Sequence, residues 1–124
     1  MRFRPSQHLR KASEFRRVRD QGTRVDCGPF VAYYLRVPGP GGTCAEAPRL
    51  GLVVSRRVGN AVVRNRVKRR FREVFRRCQE LLPGDCHVVL IARRACVFRE
   101  QTEIERRFRK LCRNISASGH AKPI

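Results

Sequence analysis

Between Arg64 and Arg77 the chain reads RNRVKRRFREVFRR, fourteen residues that hold eight cations and a single acid, Glu73. Apolar residues recur there every three or four positions, so one helix would carry both a buried stripe and a cationic face. Arginines fixed on a rigid rod can match the spacing of phosphates, whereas a floppy basic tail only attracts them. From Arg56 to Arg77 the chain has ten Lys and Arg against Glu73, a net +9 out of the formal +19 of the whole. The chemistry this suits is recognition of a polyanion.

Bond-breaking chemistry is harder to place. A protein nuclease needs clustered carboxylates for metal ions or a pair of histidines for proton transfer. From Ala47 to Gln79 the only acid is Glu73, and the remaining acids are scattered. The histidines are His8, His87 and His120. Histidines near both ends of a small basic chain would suit a secreted pancreatic-type ribonuclease. His8 and His120, however, fall in segments without periodicity, and His87 falls in a strand. No catalytic side chain and no protein-held metal are expected.

With 124 residues the chain is expected to form one domain with a modest core. A pI near 11.5 calls for a polyanionic partner, of which nucleic acid is the commonest. A membrane surface would favour an amphipathic helix anchored by Trp, and the chain has none. No apolar run approaches the ~20 residues of a spanning helix. The opening MRFRPSQHLRK lacks the apolar centre of an export signal, so a cytoplasmic protein is expected. Cys27, Cys44, Cys78, Cys86, Cys96 and Cys112 contain no CxxC pair. They are read as reduced thiols, not as a zinc site or a disulfide frame.

The elements that must position the cationic helix can be read along the chain. Residues 1–10 are expected as a mobile basic arm, 11–115 as the domain and 116–124 as a fraying tail. Ser13 as cap and Glu14 open a short helix that Gly22 stops, with Phe15 and Val18 on its inner face. Space for a short strand remains near Thr23–Asp26. Gly28–Val37 and Arg49–Ser55 read as strands, joined by a Pro- and Gly-rich loop over 38–48. The long helix starts at Asn60 or Ala61 and runs to Leu82. Val63, Val67, Phe71, Val74, Phe75, Cys78 and Leu81 share a stripe roughly 120° wide. Arg66, Lys68, Arg69, Arg70, Arg72, Arg76 and Arg77 take the rest of the circumference, with no exposed aromatic expected beside them. Arg64 instead points toward the sheet, either snorkelling or facing a ligand. Asp85–Ala92 is a near-continuous apolar run that suits a central strand. Thr102 to Glu105 forms a capping box for a last helix. The order predicts an α/β (α+β) two-layer sandwich.

The long helix carries the core stripe and cannot leave the domain to enter a DNA groove, so DNA is not the expected partner. Aromatics on the sheet, Phe30, Tyr33 and Tyr34, offer stacking to single strands, which favours RNA.

SRRVGNAVVRNRVKRRFREVF (Ser55–Phe75) contains an RNR signature at Arg64-Asn65-Arg66. With LRKASEFRRV, FVAY, RLGLVVS and VVLIAR in the same order, the chain resembles the protein subunit of bacterial ribonuclease P from about Leu9 to Leu111. The resemblance implies an endoribonuclease that removes the 5′ leader of precursor tRNA. Its large catalytic RNA would perform the hydrolysis with Mg²⁺ held mainly by that RNA. It implies that Arg64, Asn65, Arg66, Lys68, Arg69 and Arg72 dock on the RNA subunit. Phe15, Arg19, Val31 and Tyr33 would line a cleft for the leader, with Arg57 and Asn60 touching phosphate or metal-bound water. Arg19 stands where many members have a second aromatic. A left-handed crossover around the RNR helix is also implied. The runner-up is a non-enzymatic RNA-binding protein of ribosomal type.

Overall fold

The computed structural model describes residues 3, 5–37 and 47–119. Cys44, His120 and most of the 38–48 loop lie outside them. Three helices, α1 (Ala12–Gln21), α2 (Ala61–Cys78) and α3 (Gln101–Gly119), surround four strands. These are β1 (Thr23–Asp26), β2 (Phe30–Arg36), β3 (Arg49–Val53) and β4 (Cys86–Ala92), in the sheet order β1-β2-β4-β3. β1 and β4 run antiparallel to β2, and β3 runs parallel to β4. The short strand expected near Thr23 is present, and the domain is a small α+β unit with a mixed sheet.

β4 is the axis. Its run CHVVLIA buries Cys86, Val88, Leu90 and Ala92 on one face and Val89 on the other, as an unalternating apolar strand must. On the first face β2 adds Phe30 and Ala32, and β3 adds Leu50. α2 covers them with Val67, Phe71, Val74 and Phe75, and α3 with Ile104, Phe108, Leu111 and Ile115. Phe30 meets Phe71 edge-on at 5.3 Å between ring centroids. The second face packs Leu9, Val18 and Val89 under α1, with Phe15, Tyr33, Leu35, Val53 and Ile91 half-buried around them. The helix pair therefore holds the main core, while α1 leaves part of the opposite face open.

Local details differ from the sequence reading for definite reasons. α2 stops at Cys78 and tightens into a 3-10 turn, Gln79–Leu81, which changes the helical phase. Leu81, expected in the apolar stripe, is exposed, and Gln79 is buried in its place. That buried amide is satisfied: the Gln7 Nε2 donates to Gln79 Oε1 at 2.7 Å and to the Pro48 carbonyl at 3.0 Å. Residues 5–9 are consequently not a free arm. Pro5–Gln7 form a 3-10 turn, Leu9 donates its N–H to Leu50, and the Phe3 ring stacks on His8 at 4.1 Å.

Lys11, not Ser13, caps α1. The Glu14 carboxylate accepts the backbone N–H groups of Arg10 and Lys11 at 2.9 and 3.0 Å, and Arg49 Nη1 at 2.8 Å. Partial burial favours its neutral form, but those donors outweigh it and hold its pKa at about 2. The box expected at Thr102 is not formed either. α3 starts one residue earlier, with the Glu100 carbonyl accepting from Glu103 and Ile104. Glu105 is thereby free to bind Arg109 at 3.0 Å and Arg77 of α2 at 3.4 Å. At the other end the helix continues past Ser116, whose hydroxyl donates to the Leu81 carbonyl at 2.8 Å. In the β1–β2 turn only Gly28 has positive φ (+86°), and the Arg107 guanidinium fills the space a side chain there would need.

Cys27, Cys78, Cys86, Cys96 and Cys112 are free and buried. Burial pushes Cys27 up to about 11 and Cys86 up to about 12, and raises Cys78, Cys96 and Cys112 too. These five thiols should react with an aromatic disulfide reagent at pH 8 only slowly in the native protein, and fully once it is denatured without reductant. Fast native reaction would contradict the packing.

A second measurement addresses Glu14. The unfolded chain protonates it near 4.5, whereas the folded state keeps it ionised down to about 2, so acid favours unfolding across that window. Glu14→Gln should be less stable than wild type at neutral pH. The gap in unfolding free energy should close as pH falls from about 4.5 toward 2. A gap independent of pH would mean that the carboxylate charge is not what holds α1.

Candidate nucleic-acid interface

Asn60 fixes the start of α2 by accepting the Val63 N–H at 3.0 Å, so its side-chain oxygen serves the helix cap. Before it, Ser55–Gly59 turns back on itself with Val58 buried at its centre. That single anchor leaves Arg56 and Arg57 exposed on either side of the turn. Along α2, Asn65, Arg66, Arg69 and Arg72 face solvent, while Arg64 and Lys68 are half-buried along its flank.

What distinguishes this face is where the acids are not. Glu103 binds Arg99 and Arg107, Glu105 binds Arg109 and Arg77, and Glu73 binds Arg76 at 2.6 Å. Asp26 binds Arg93 and Asp85 binds Arg36. Among the described residues no ion pair engages Arg64, Arg66, Lys68, Arg69 or Arg72. Arg70 departs from the expected outward set. Its guanidinium donates to Gln101 Oε1 at 2.9 Å and to the Cys96 carbonyl at 3.0 Å, and also to the Arg99 carbonyl. It ties α2 to the turn before α3.

The open part of the second sheet face is a cleft of about 570 Å³ lined by Ala12, Phe15, Arg16, Arg19, Asp20, Tyr33 and Val53. The five helical residues recur at intervals of three and one, a single face of α1. Phe15 reaches the sheet because Gly51 has no side chain. A Cβ on Gly51 would stand 2.6 Å from the Phe15 ring, so the aromatic lies directly on β3. The Arg19 guanidinium sits 5.8 Å from the Tyr33 ring centroid, within cation–π range. Phe15, Arg19 and Tyr33 are therefore brought together as the sequence implied. Val31 shares the Tyr33 face but is buried, and Val53 takes its place in the lining. Phe30 is buried in the main core, and Tyr34 packs on that same core face, so neither serves the cleft.

Sequence reasoning missed Gly51, Val58, Arg16 and the clamp made by Arg70. Only Gly51 carried a signal, since a glycine inside a strand marks a close approach. Burial, reinforced by nearby arginines, lowers the pKa of both His8 and His87 and so disfavours their charged forms. Neither has a carboxylate partner of the kind that would make a proton-transfer pair. Among the described residues no group of three or more His, Cys, Asp or Glu is placed to hold a metal ion. No described helix is long and apolar enough to cross a membrane.

The chain's likeness to known proteins fits this arrangement. The family model described as Ribonuclease P matches residues 3–116. The ribonuclease P protein component of Desulfatibacillum aliphaticivorans is 37% identical over 94 residues, 76% of this chain and 75% of that protein. Its counterpart in Shouchella clausii is 42% identical over 87 residues, 70% of this chain and 67% of the relative. The RNase P protein from Thermotoga maritima superposes with a TM-score of 0.73 at 27% identity, covering 87% of this chain and 96% of the other. A Staphylococcus aureus RNase P protein mutant, described as defective in mRNA degradation activity, gives 0.73 at 27% identity over 90% and 89%. The family match, the relatives' identities and the shared fold agree on one conclusion: the chain belongs to the ribonuclease P protein family and is the protein component of that endoribonuclease.

Proposed function

We propose that this protein works by binding two RNAs on two surfaces, leaving hydrolysis to the first of them. The α2 face docks on the catalytic RNA subunit, and the cleft beside α1 holds the single-stranded 5′ leader of precursor tRNA. Mg²⁺ is held mainly by the RNA subunit, and the place of action is the cytoplasm. The observation that carries this reading is the division of charge and aromatic surface. Among the described residues no acid pairs with Arg64, Arg66, Lys68, Arg69 or Arg72, while Phe15, Arg19 and Tyr33 gather on the opposite side of the sheet. Phosphate contacts fix position and need cations. A single strand of variable sequence is best held by aromatic faces.

In this scheme Asn65 and Arg72 extend the docking face, and Arg57 reaches toward phosphate from its turn. Asn60 contributes by capping α2, so its replacement would act through the helix. Arg19 supplies a planar cation where an aromatic wall was expected. It can stack on a base or neutralise a phosphate, which retains leader binding with an altered preference.

Rigorously RNA-free protein should bind the RNA subunit without cutting precursor tRNA. With some six to eight phosphates contacted, log K against log salt should have a slope of about −4 to −7. Cleavage by the protein alone would overturn the division of labour. Arg66→Ala with Arg69→Ala should weaken assembly and flatten that slope. Tyr33→Ala should leave assembly nearly intact and cost about 1–3 kcal/mol in affinity for precursor tRNA, with mature tRNA unaffected. Gly51→Ala, which forces the Phe15 ring from its seat, should reproduce the Tyr33→Ala pattern if the protein remains folded by circular dichroism. Equal losses for mature and precursor tRNA would remove the leader from the cleft.

A further inference from the structure

The turn between β4 and α3, Arg94–Phe98, has one unexplained feature. Phe98 is 75% exposed, the most open of the large apolar side chains among the described residues. Its neighbours show that the turn could bury a side chain, since Cys96 is fully buried and Val97 packs against the main core. The exposure is also rigidly imposed. Arg70 of α2 donates to the carbonyls of Cys96 and Arg99, which bracket Phe98, and Gln101 returns a hydrogen bond to the Arg70 carbonyl at 3.0 Å. The backbone around Phe98 is thereby held against α2 at Arg70, which lies one helical turn from Arg66, and Arg94 and Arg99 are exposed on either side of Phe98 in the chain. The expectation that no exposed aromatic accompanies the cationic helix is corrected by this residue.

We propose that Phe98 is a stacking platform for an unpaired nucleobase of the RNA whose phosphates α2 binds. The proposal rests on the reading of α2 as the docking face for the RNA subunit. Charge selects the occupant. Arg94 is exposed on one side of Phe98 in the chain, and although Glu103 pairs Arg99 on the other, a chain of net charge +19 repels a second copy of itself and attracts a polyanion. A nucleobase supplies a flat apolar face, and its own backbone supplies phosphates for Arg66 and Arg94, which no described acid pairs. The ring would add a contact that α2 cannot make, selecting RNA with an unstacked base at that place over a continuous duplex.

The chain has no tryptophan, so Phe98→Trp introduces a single fluorophore at the site. Titrated with the RNA subunit, full-length Phe98→Trp should bind as tightly as wild type, and its emission should be quenched at one equivalent. Phe98→Leu, which keeps apolar area but lacks a π face, should bind about five- to a hundred-and-fifty-fold more weakly. Because no phosphate contact is lost, the salt slope should be unchanged. Thermal unfolding of both variants should match wild type, since the side chain is exposed. Tight binding with unquenched tryptophan and a wild-type Phe98→Leu affinity would overturn the proposal, while loss of binding in Arg66→Ala with Arg69→Ala would still sustain the α2 reading. Quenching that grows with protein concentration without RNA, with a dimer in sedimentation, would assign Phe98 to self-association and also overturn it.

Discussion

Ten carboxylates cannot neutralise twenty-nine lysines and arginines, and the placement of those ten organises the molecule. The acids of α3 restrain that helix's own arginines and, through Glu105, Arg77 of its neighbour. Glu14 secures the start of α1 to β3, and Asp85 holds Arg36 beside the end of β4. Each pair is modest, because surface ion pairs are worth little individually. Their collective effect is one of allocation: a high net charge destabilises a compact state through self-repulsion, and the fold leaves a dense block of it along α2, at Arg64, Arg66, Lys68, Arg69 and Arg72, which no described acid pairs. The isolated protein keeps a concentrated repulsion there that a polyanion removes on binding.

Several arginines are structural, and they work through backbone carbonyls. Arg70 reaches the Cys96 and Arg99 carbonyls, Arg93 reaches Gly28, Arg107 reaches Cys27 and Arg49 reaches His8. The planar guanidinium with five donors suits this, since it can hold a turn that has no partner strand. Composition therefore overstates the RNA-binding charge. A count of arginines along α2 includes Arg70, whose guanidinium is taken up by Gln101 and two backbone carbonyls, and Arg76, which is held by Glu73.

The long helix and the central β4 were legible in the sequence, because periodicity and apolar runs report burial directly, whereas the RNR signature and the Phe15–Tyr33 cleft were legible only through the family resemblance. The errors came where one residue decides. At Gln79 the change to a 3-10 turn rotated the register, so Leu81 emerged and an amide went in. At Thr102 a capping motif lost to the Glu100 carbonyl, and at residues 5–9 an aperiodic segment proved docked through Gln7. None of these has a local signature, since each depends on a partner 35 to 72 residues away in sequence or on competition between adjacent caps. Arg70 and Phe98 belong to the same class: their orientation is set by the turn they share.

The sheet order has a consequence for how the chain is made. β2 and β3 share no hydrogen bonds and are joined only through β4, the last strand to be synthesised. Until Cys86–Ala92 has left the ribosome, β3 has only the short contact of His8 and Leu9 with Leu50, and α2 has no completed sheet to cover. The emerging chain is then a flexible polycation among polyanions, with its arginines exposed in no fixed pattern. β4 supplies the strand that joins β3 to the sheet, and α3, which follows it, supplies the remaining cover of the main core, so the ordered cationic face needs nearly the whole described chain.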